Sequence, residues 1–386
     1  MTVPVEPFSL SLARPLRTAA GVIDEREGFL VRPPAGVDDA SARRGVGEAS
    51  PLPGWTESRD DCAAALRDAT IPDDASPLDA ITVPPAGAVR DARDADPIVD
   101  PVGGLGATER PAARHGLVLA LGDAAAREAD VPFAALLAEW ANVADPADTV
   151  PVNATVGDGS VEATVRDAER AVDDGFDAVK VKIGARDVDA DVDRLRAVRR
   201  AIGPAIELRA DANGAWSRST ARRALDRLRD VDPAYVEQPL PAADLDGLAR
   251  LRAESPVPVA ADEAIAEHGP GAVLRADAAD AVVLKPMVLG GPDAALLAAR
   301  AARDAGVDPV ITTTIDGVVA RVGAIHVAAA VPNVEACGLA TASLLAEDLA
   351  PDPAPVEDGA VDVPTAPGLA GEEFNEIRRD AGEDRR

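Results

Sequence analysis

Lysine is nearly missing from this 386-residue chain. It stands only at Lys180, Lys182 and Lys285, and arginine carries the rest of the positive charge. A guanidinium stays charged at any accessible pH and cannot act as a general base, whereas a desolvated lysine can release its proton near neutrality. The surviving lysines are therefore candidates for chemistry, set against the plainer reading of an arginine-rich composition with three remnants. Basic residues as a group are outnumbered, 39 against 67 acidic, for a formal charge of -28. That lacks the basic footprint nucleic acid requires and disfavours an anionic membrane surface. Cysteine is limited to Cys62 and Cys337, far apart and in no metal-binding spacing, which reads as free thiols in a reducing cytosol. No apolar run approaches the ~20 residues of a membrane span, and MTVPVEPFSL has neither the basic nor the apolar region of a signal peptide. Those absences predict a soluble, cytoplasmic protein. Aromatics are scarce at 2%, alanine is abundant, and the acids are spread in DDA, RDAD and DVDAD patterns. This composition suits a very salty cytoplasm, where the screening length falls to ~3 Å and self-repulsion is quenched. An ordinary acidic protein is the alternative.

What is present is regular from about residue 150 to 340. The runs VPVNATV, DAVKVKIG, IELRAD, AYVEQPL, VPVAADEA, AVVLKPM, DPVITTTI and NVEACGL read as strands. Helical stretches such as DADVDRLRAVRRAI and PDAALLAARAARDAG lie between them. The spacing of about 25 residues is that of a βα unit, and eight such strands close a parallel barrel. The fold class is α/β: a modified (β/α)8, TIM-like barrel with an α+β N-terminal capping domain. The expected division is 1–145 for the cap, 146–345 for the barrel, and 346–386 for a C-terminal segment that returns to the cap and then frays after about 372. In the cap, FSLSLARPLRTAAGVIDEREGFLVRP predicts two antiparallel strands, and residues 112–141 predict one or two amphipathic helices. Residues 70–110, rich in Pro, Ala, Asp and Gly, stay unassigned.

Placed on these strands, the charged residues fall into order. Lys180 and Lys182 end the second strand, Asp211 the third, Glu237 the fourth, Asp262 the fifth and Lys285 the sixth. Barrel catalysis draws on the carboxyl ends of several strands. A single acid there would be uninformative in so acidic a chain; the ordered set is informative. Three carboxylates without a histidine or thiolate make a hard, oxygen-only site suited to Mg²⁺, with Mn²⁺ as a substitute. With lysines facing it from opposite sides, such a site suits removal of a proton beside a carboxylate, the pairing known for enolase-type sites.

The KVK pair, Asp211, Glu237, Asp262 and the KP at Lys285 resemble the enolase superfamily, muconate-lactonising-enzyme subgroup, over nearly the whole chain. Within it, GEASPLPGWTES, LRADANGAW, VITTTIDGVVARVGAIHVAAA and CGLAT resemble segments of the o-succinylbenzoate synthase family, a dehydratase family of menaquinone synthesis. The resemblance implies that Lys182 is the base and returns a proton to the departing hydroxide. It makes Lys285 an electrostatic partner of the enediolate and Lys180 a support for Lys182 and the substrate carboxylate. Asp211, Glu237 and Asp262 would hold Mg²⁺, with Arg209 behind them. Asn213, Thr312, Thr314 and the backbone at Gly338 would meet a small-molecule carboxylate substrate, and cap residues Arg17 to Gly21 and Pro51 to Gly54 would close over it. Threonines replace the family's serines on the seventh strand, and Ala336-Cys337 replaces Ile-Pro before Gly338. Both departures touch the substrate end. A dipeptide epimerase or N-acylamino-acid racemase on the same scaffold, with Lys182 and Lys285 as alternating acid and base, is the competing expectation. The eighth-strand CGLA, where those enzymes resemble Asp-x-Asp, favours the synthase. No nucleic-acid or membrane partner is expected, and a homo-oligomer is left open.

Other features have plain readings. His115, His268 and His326 are read as packed or surface residues. Asp316 has either a capping role or a place behind the site, and Gly290-Gly291 lacks phosphate-loop spacing and reads as a turn. The charge generates a direct test: the melting temperature should rise from dilute buffer to molar KCl. An unchanged value rejects the salt-adapted reading and leaves the site assignment intact.

Overall fold

The computed structural model describes residues 3–18, 21–33, 45–69, 109–143 and 145–379. Most of the unassigned 70–110 stretch, residues 19 and 20 of the expected closing loop, and the tail 380–386 lie outside them.

The chain opens with two long antiparallel strands, β1 (Val5–Thr18) and β2 (Gly21–Val31). Their register shifts between Ser11 and Leu16, an interval containing Pro15, which has no N–H to give a ladder. A short β3 (Gly47–Ala49) pairs with β2. Past a shorter helix, Arg59–Asp68, come the two in the expected stretch, Pro111–Glu128 and Phe133–Ala141. The expectation of amphipathic helices fails for the first. Every residue from Pro111 to Ala126 is buried, because this helix is sandwiched between the cap sheet and the barrel. Backbones meet there: a Cβ on Gly47 would lie 1.9 Å from the Gly116 carbonyl oxygen, so this contact requires glycine.

The second sheet has seven parallel strands: β5 (Ala154–Val156), β6 (Ala178–Lys182), β7 (Glu207–Asp211), β8 (Tyr235–Glu237), β9 (Val259–Ala261), β10 (Ala281–Leu284) and β11 (Asp308–Ile311), neighbours in chain order. Buried Val, Leu, Ile and Ala make up much of these short strands, and each is followed by a helix. The predicted first strand is split. Its first part, β4 (Thr149–Pro151), leaves the barrel to pair with β13 (Ala360–Asp362), which also pairs with β12 (Val356–Glu357).

The predicted eighth strand is a larger correction. NVEACGL forms no regular strand; Cys337 bridges to Val152 on one side and Gly338 to Thr312 on the other. Hydrogen bonds from Cys337 N to Pro151 O (2.8 Å), from Asn153 N to Cys337 O (2.9 Å) and from Gly338 N to Ile311 O (2.9 Å) close the ring. The expected fraying after about 372 is also not found for 372–379. Phe374 and Arg378 are buried, and Arg378 forks onto Asp123 of the helix Pro111–Glu128 at 2.9 Å through both Nε and Nη2.

Cap and barrel are joined by buried charge. Arg114 of the helix Pro111–Glu128 pairs with Asp293 at 2.8 Å, neither exposed, and donates to Gly290 O at 2.7 Å. Gly290 and Gly291 form the turn into the helix Pro292–Asp304, as their spacing predicts. Removing one partner of such a pair strands the other. Asp293→Ala should therefore lower the unfolding free energy by ~3–5 kcal/mol in a denaturant titration. A change below ~0.5 kcal/mol would be that of a surface site and would mean Arg114 finds water on its own.

Candidate active site at the barrel mouth

The strand registers decide which side chains share a level. Lys182 pairs with Asp211 across β6 and β7, and Asp211 with Glu237 across β7 and β8, so the three form one row at the carboxyl edge. One step below, Lys180, Arg209 and Tyr235 form a second row. Asp262 follows β9 and Lys285 follows β10, each one residue past its strand. The alternation of strand side chains thus gathers all six predicted charges at one mouth, where the sequence placed them.

The carboxylates are almost wholly buried: Asp211 0%, Glu237 1%, Asp262 5%. Lys182 Nζ donates to Asp211 Oδ2 at 2.6 Å and to Asn213 Oδ1 at 3.0 Å. Lys180 Nζ donates to both oxygens of Glu237 at 3.1 Å and lies 3.5 Å from Asp211. Lys285 donates to Asp262. Burial, and next the Asp211 carboxylate, push Glu237 up to about 8. Asp211 also feels burial, but Lys182 and Lys180 beside it hold it well below the usual range. Burial opposes the charge on Lys180, yet Glu237 and Asp211 raise its pKa.

The donor set fits a hard divalent ion: three adjacent oxygen donors, poor in water, one of them short of positive charge. With the carboxylates turned onto the ammonium groups, no three His, Cys, Asp or Glu side chains among the described residues converge to hold an ion. Asp211, Glu237 and Asp262 are the groups that would have to turn from lysine to metal.

The remaining predicted residues divide. Asn213, at φ 43°, sits between Lys182 and Glu263, donating to Glu263 Oε1 at 3.1 Å. Arg209 is fully buried, bonded to Glu207, Asn153 and Ala336 O and stacked on Tyr235. The hydroxyl of Thr312 donates to Gly338 O at 2.8 Å, and a Cβ on Gly338 would collide with it, so these two residues meet each other at the barrel seam. Thr314 donates to Asp316 through both backbone and hydroxyl. Asp316 does not cap the helix Val318–Ala329. Glu48 of the cap does so, accepting from Gly317 N at 2.7 Å and Ala320 N at 2.9 Å, with Asp348 accepting from Val318 N. All three histidines bond to backbone away from the mouth: His115 to Glu48, His268 to Ala242 and His326 to Leu369.

Three residues were not singled out from the sequence: Trp55, whose ring centre lies 4.0 Å from Lys285 Nζ, Glu48 and Arg26. Arg26 donates to Ser50 O, Pro51 O and Ile315 O and lies 3.7 Å from Asp316. A signal existed for Trp55, one of three tryptophans in a chain with 2% aromatics, directly after the Pro51 to Gly54 segment read as closing the pocket.

A family model described as enolase C-terminal domain-like matches residues 163–377. A protein of Thermobifida fusca (strain YX) named o-succinylbenzoate synthase is 42% identical over 210 residues, 53% of this chain and 64% of that protein. One of the same name from Mycobacterium tuberculosis (strain ATCC 25618 / H37Rv) is 40% identical over 216 residues, 54% of this chain and 63% of that protein. The match thus spans less than two thirds of these relatives. Among solved structures, muconate lactonizing enzyme from Pseudomonas fluorescens, complexed with muconolactone, superposes with TM-score 0.79 at 26% identity over 98% of each chain. A dipeptide epimerase from Enterococcus faecalis V583, complexed with Mg and L-Leu-L-Tyr, has TM-score 0.79 at 24% identity, over 96% of this chain and 98% of that one; it shares the fold.

The cap's anchor gives the protein a pH signature. Burial, and next the Asp316 carboxylate, push Glu48 up to about 7. The folded chain keeps a proton that the unfolded chain releases near pH 4.5, so stability falls as pH rises between these values, by ~3 kcal/mol in all. Glu48→Gln cannot titrate. Its stability deficit relative to the parent should shrink between pH 5 and pH 8, read by denaturant titration at both. A deficit independent of pH would remove Glu48 as the source.

Proposed function

We propose, because this chain belongs to the enolase C-terminal domain-like family, that it is a Mg²⁺-dependent lyase of the o-succinylbenzoate synthase type. It would dehydrate 2-succinyl-6-hydroxy-2,4-cyclohexadiene-1-carboxylate to o-succinylbenzoate in menaquinone synthesis. The observation that carries this reading is the row of Lys182, Asp211 and Glu237, completed by Asp262 and by Lys285.

Bound to Asp211, Glu237 and Asp262, Mg²⁺ would supply positive charge to the carboxylate beside which the proton is lost. Lys182 takes the proton from ring carbon 1. The electron pair left there forms the bond to carbon 6 as its hydroxide departs, and the Lys182 ammonium gives that hydroxide the proton. Water leaves and the ring becomes aromatic. One lysine serving both halves requires hydrogen and hydroxyl on the same face, which is a syn elimination. Lys285 faces the carbanion as a fixed cation, and Lys180, bonded to Glu237, holds the carboxylate row and its charge in place.

A second reading, a dipeptide epimerase or N-acylamino-acid racemase, is favoured by one observation. Lys182 ends β6 and Lys285 directly follows β10, so each face of a substrate could have a base. The CGLA segment at the seam favours the synthase.

The deciding measurement sets dehydration of the cyclohexadiene acid beside α-proton exchange of an N-acylamino acid in D₂O. Dehydration should require Mg²⁺ or Mn²⁺ and cease with chelator. Lys182→Arg keeps the charge but withholds the proton, so turnover should fall by ~10² to 10⁴. Lys285→Arg should leave a synthase partly active and stop exchange on that face in an epimerase. Wild-type protein that exchanges but does not dehydrate would install the second reading; full activity without metal would remove the metal assignment.

A further inference from the structure

Trp55 is half-buried in the tight turn Leu52–Thr56, in which Trp55 N donates to Leu52 O at 2.9 Å and Leu52 N to the Thr56 hydroxyl at 2.8 Å. Its ring centre lies 4.0 Å from Lys285 Nζ, a cation resting on an aromatic face. Each side of the contact is tethered. The turn follows Ser50 and Pro51, whose carbonyls are held by the buried Arg26, and Glu48, which is bound to the helix after the seventh strand. Ser50 N also donates to Met287 Sδ at 3.4 Å, two residues beyond Lys285. The cap loop is thus fixed to the segment that carries the lysine.

We propose that Trp55 is a positioning residue for Lys285, and that through it the seated cap aims the ammonium group. The inference rests on reading Lys285 as the cation opposite the base. A lysine has a long flexible stem, and its other partner here is Asp262, one of the carboxylates assigned to the metal. A divalent ion competes for that carboxylate and repels the ammonium. An indole face attracts a cation without being a ligand that a hard ion seeks. The ring therefore keeps Lys285 in place when Asp262 turns away.

Trp55→Phe keeps an aromatic face, whereas Trp55→Leu keeps bulk and removes it. Assayed on whichever substrate the wild type turns over, Trp55→Leu should lower kcat by roughly five- to thirtyfold, with KM within about threefold. Trp55→Phe should restore most of it, and Mn²⁺ affinity should be unchanged in both. A readout independent of turnover is the emission of Trp55, obtained as the difference between wild type and Trp55→Phe. It should change when Lys285→Gln removes the cation. A raised KM with kcat intact would make Trp55 only a wall of the pocket and overturn the proposal. Equal damage from Phe and Leu, or emission insensitive to Lys285→Gln, would overturn it as well. Wild-type protein inactive on both substrates would sink the function reading, and the emission comparison alone would then decide the contact.

Discussion

Charge buried at the barrel mouth must be matched by charge, and much of this molecule is arranged around that requirement. Asp211, Glu237 and Asp262 have almost no contact with water, and a buried carboxylate without a partner costs several kcal/mol. Lysine meets the demand on both sides of the mouth. Its compact ammonium can turn from one carboxylate to another, whereas a planar guanidinium would be committed to one geometry. In a chain that otherwise uses arginine, the three lysines stand where, on the proposed reading, the positive charge would share its partners with a metal and a substrate.

The same rule governs how cap and barrel meet. The interface is studded with buried ionic groups: Arg114 with Asp293, Arg378 with Asp123, and Glu48 over a helix N-terminus. Such pairs fix register more than they add stability. An apolar interface made of alanine and valine could slide by a fraction of a residue, but a forked guanidinium on a carboxylate cannot. This matters because the cap supplies Trp55 to the site. The exposed acids, whose mutual repulsion would favour unfolding at low salt, are a separate population spread over the surface, and the two should respond to salt differently.

The strand-end charges were legible because alternation in a short strand is a rigid rule: Lys180 and Lys182, or Arg209 and Asp211, cannot face opposite sides. Failures occurred where tertiary surroundings overrode local pattern. The helix Pro111–Glu128 carries Arg114, His115 and Asp123, which look like a wet face until their partners are known. Residues 371–379 look like a charged tail, yet Phe374 and Arg378 anchor it. Asp316 stands where a cap residue should, but a carboxylate 268 positions earlier in the chain, Glu48, takes the donors (|i−j| is 269 to Gly317). No local window contains that information. NVEACGL has strand-like composition but only enough ladder to bridge a gap.

That gap has a mechanical consequence. Backbone pairing runs strand to strand around the barrel from β5 to β11 and is then carried across by the isolated bridges at Cys337 and Gly338. The barrel resembles a split ring, stiff around most of its circumference and compliant at the join. Thermal breathing should concentrate there, widening the mouth beside Thr312 while the carboxylate row on β7 and β8, almost opposite, keeps its spacing. On the proposed reading, chemistry that needs fixed distances and entry that needs changing ones would fall to different arcs of the same circle.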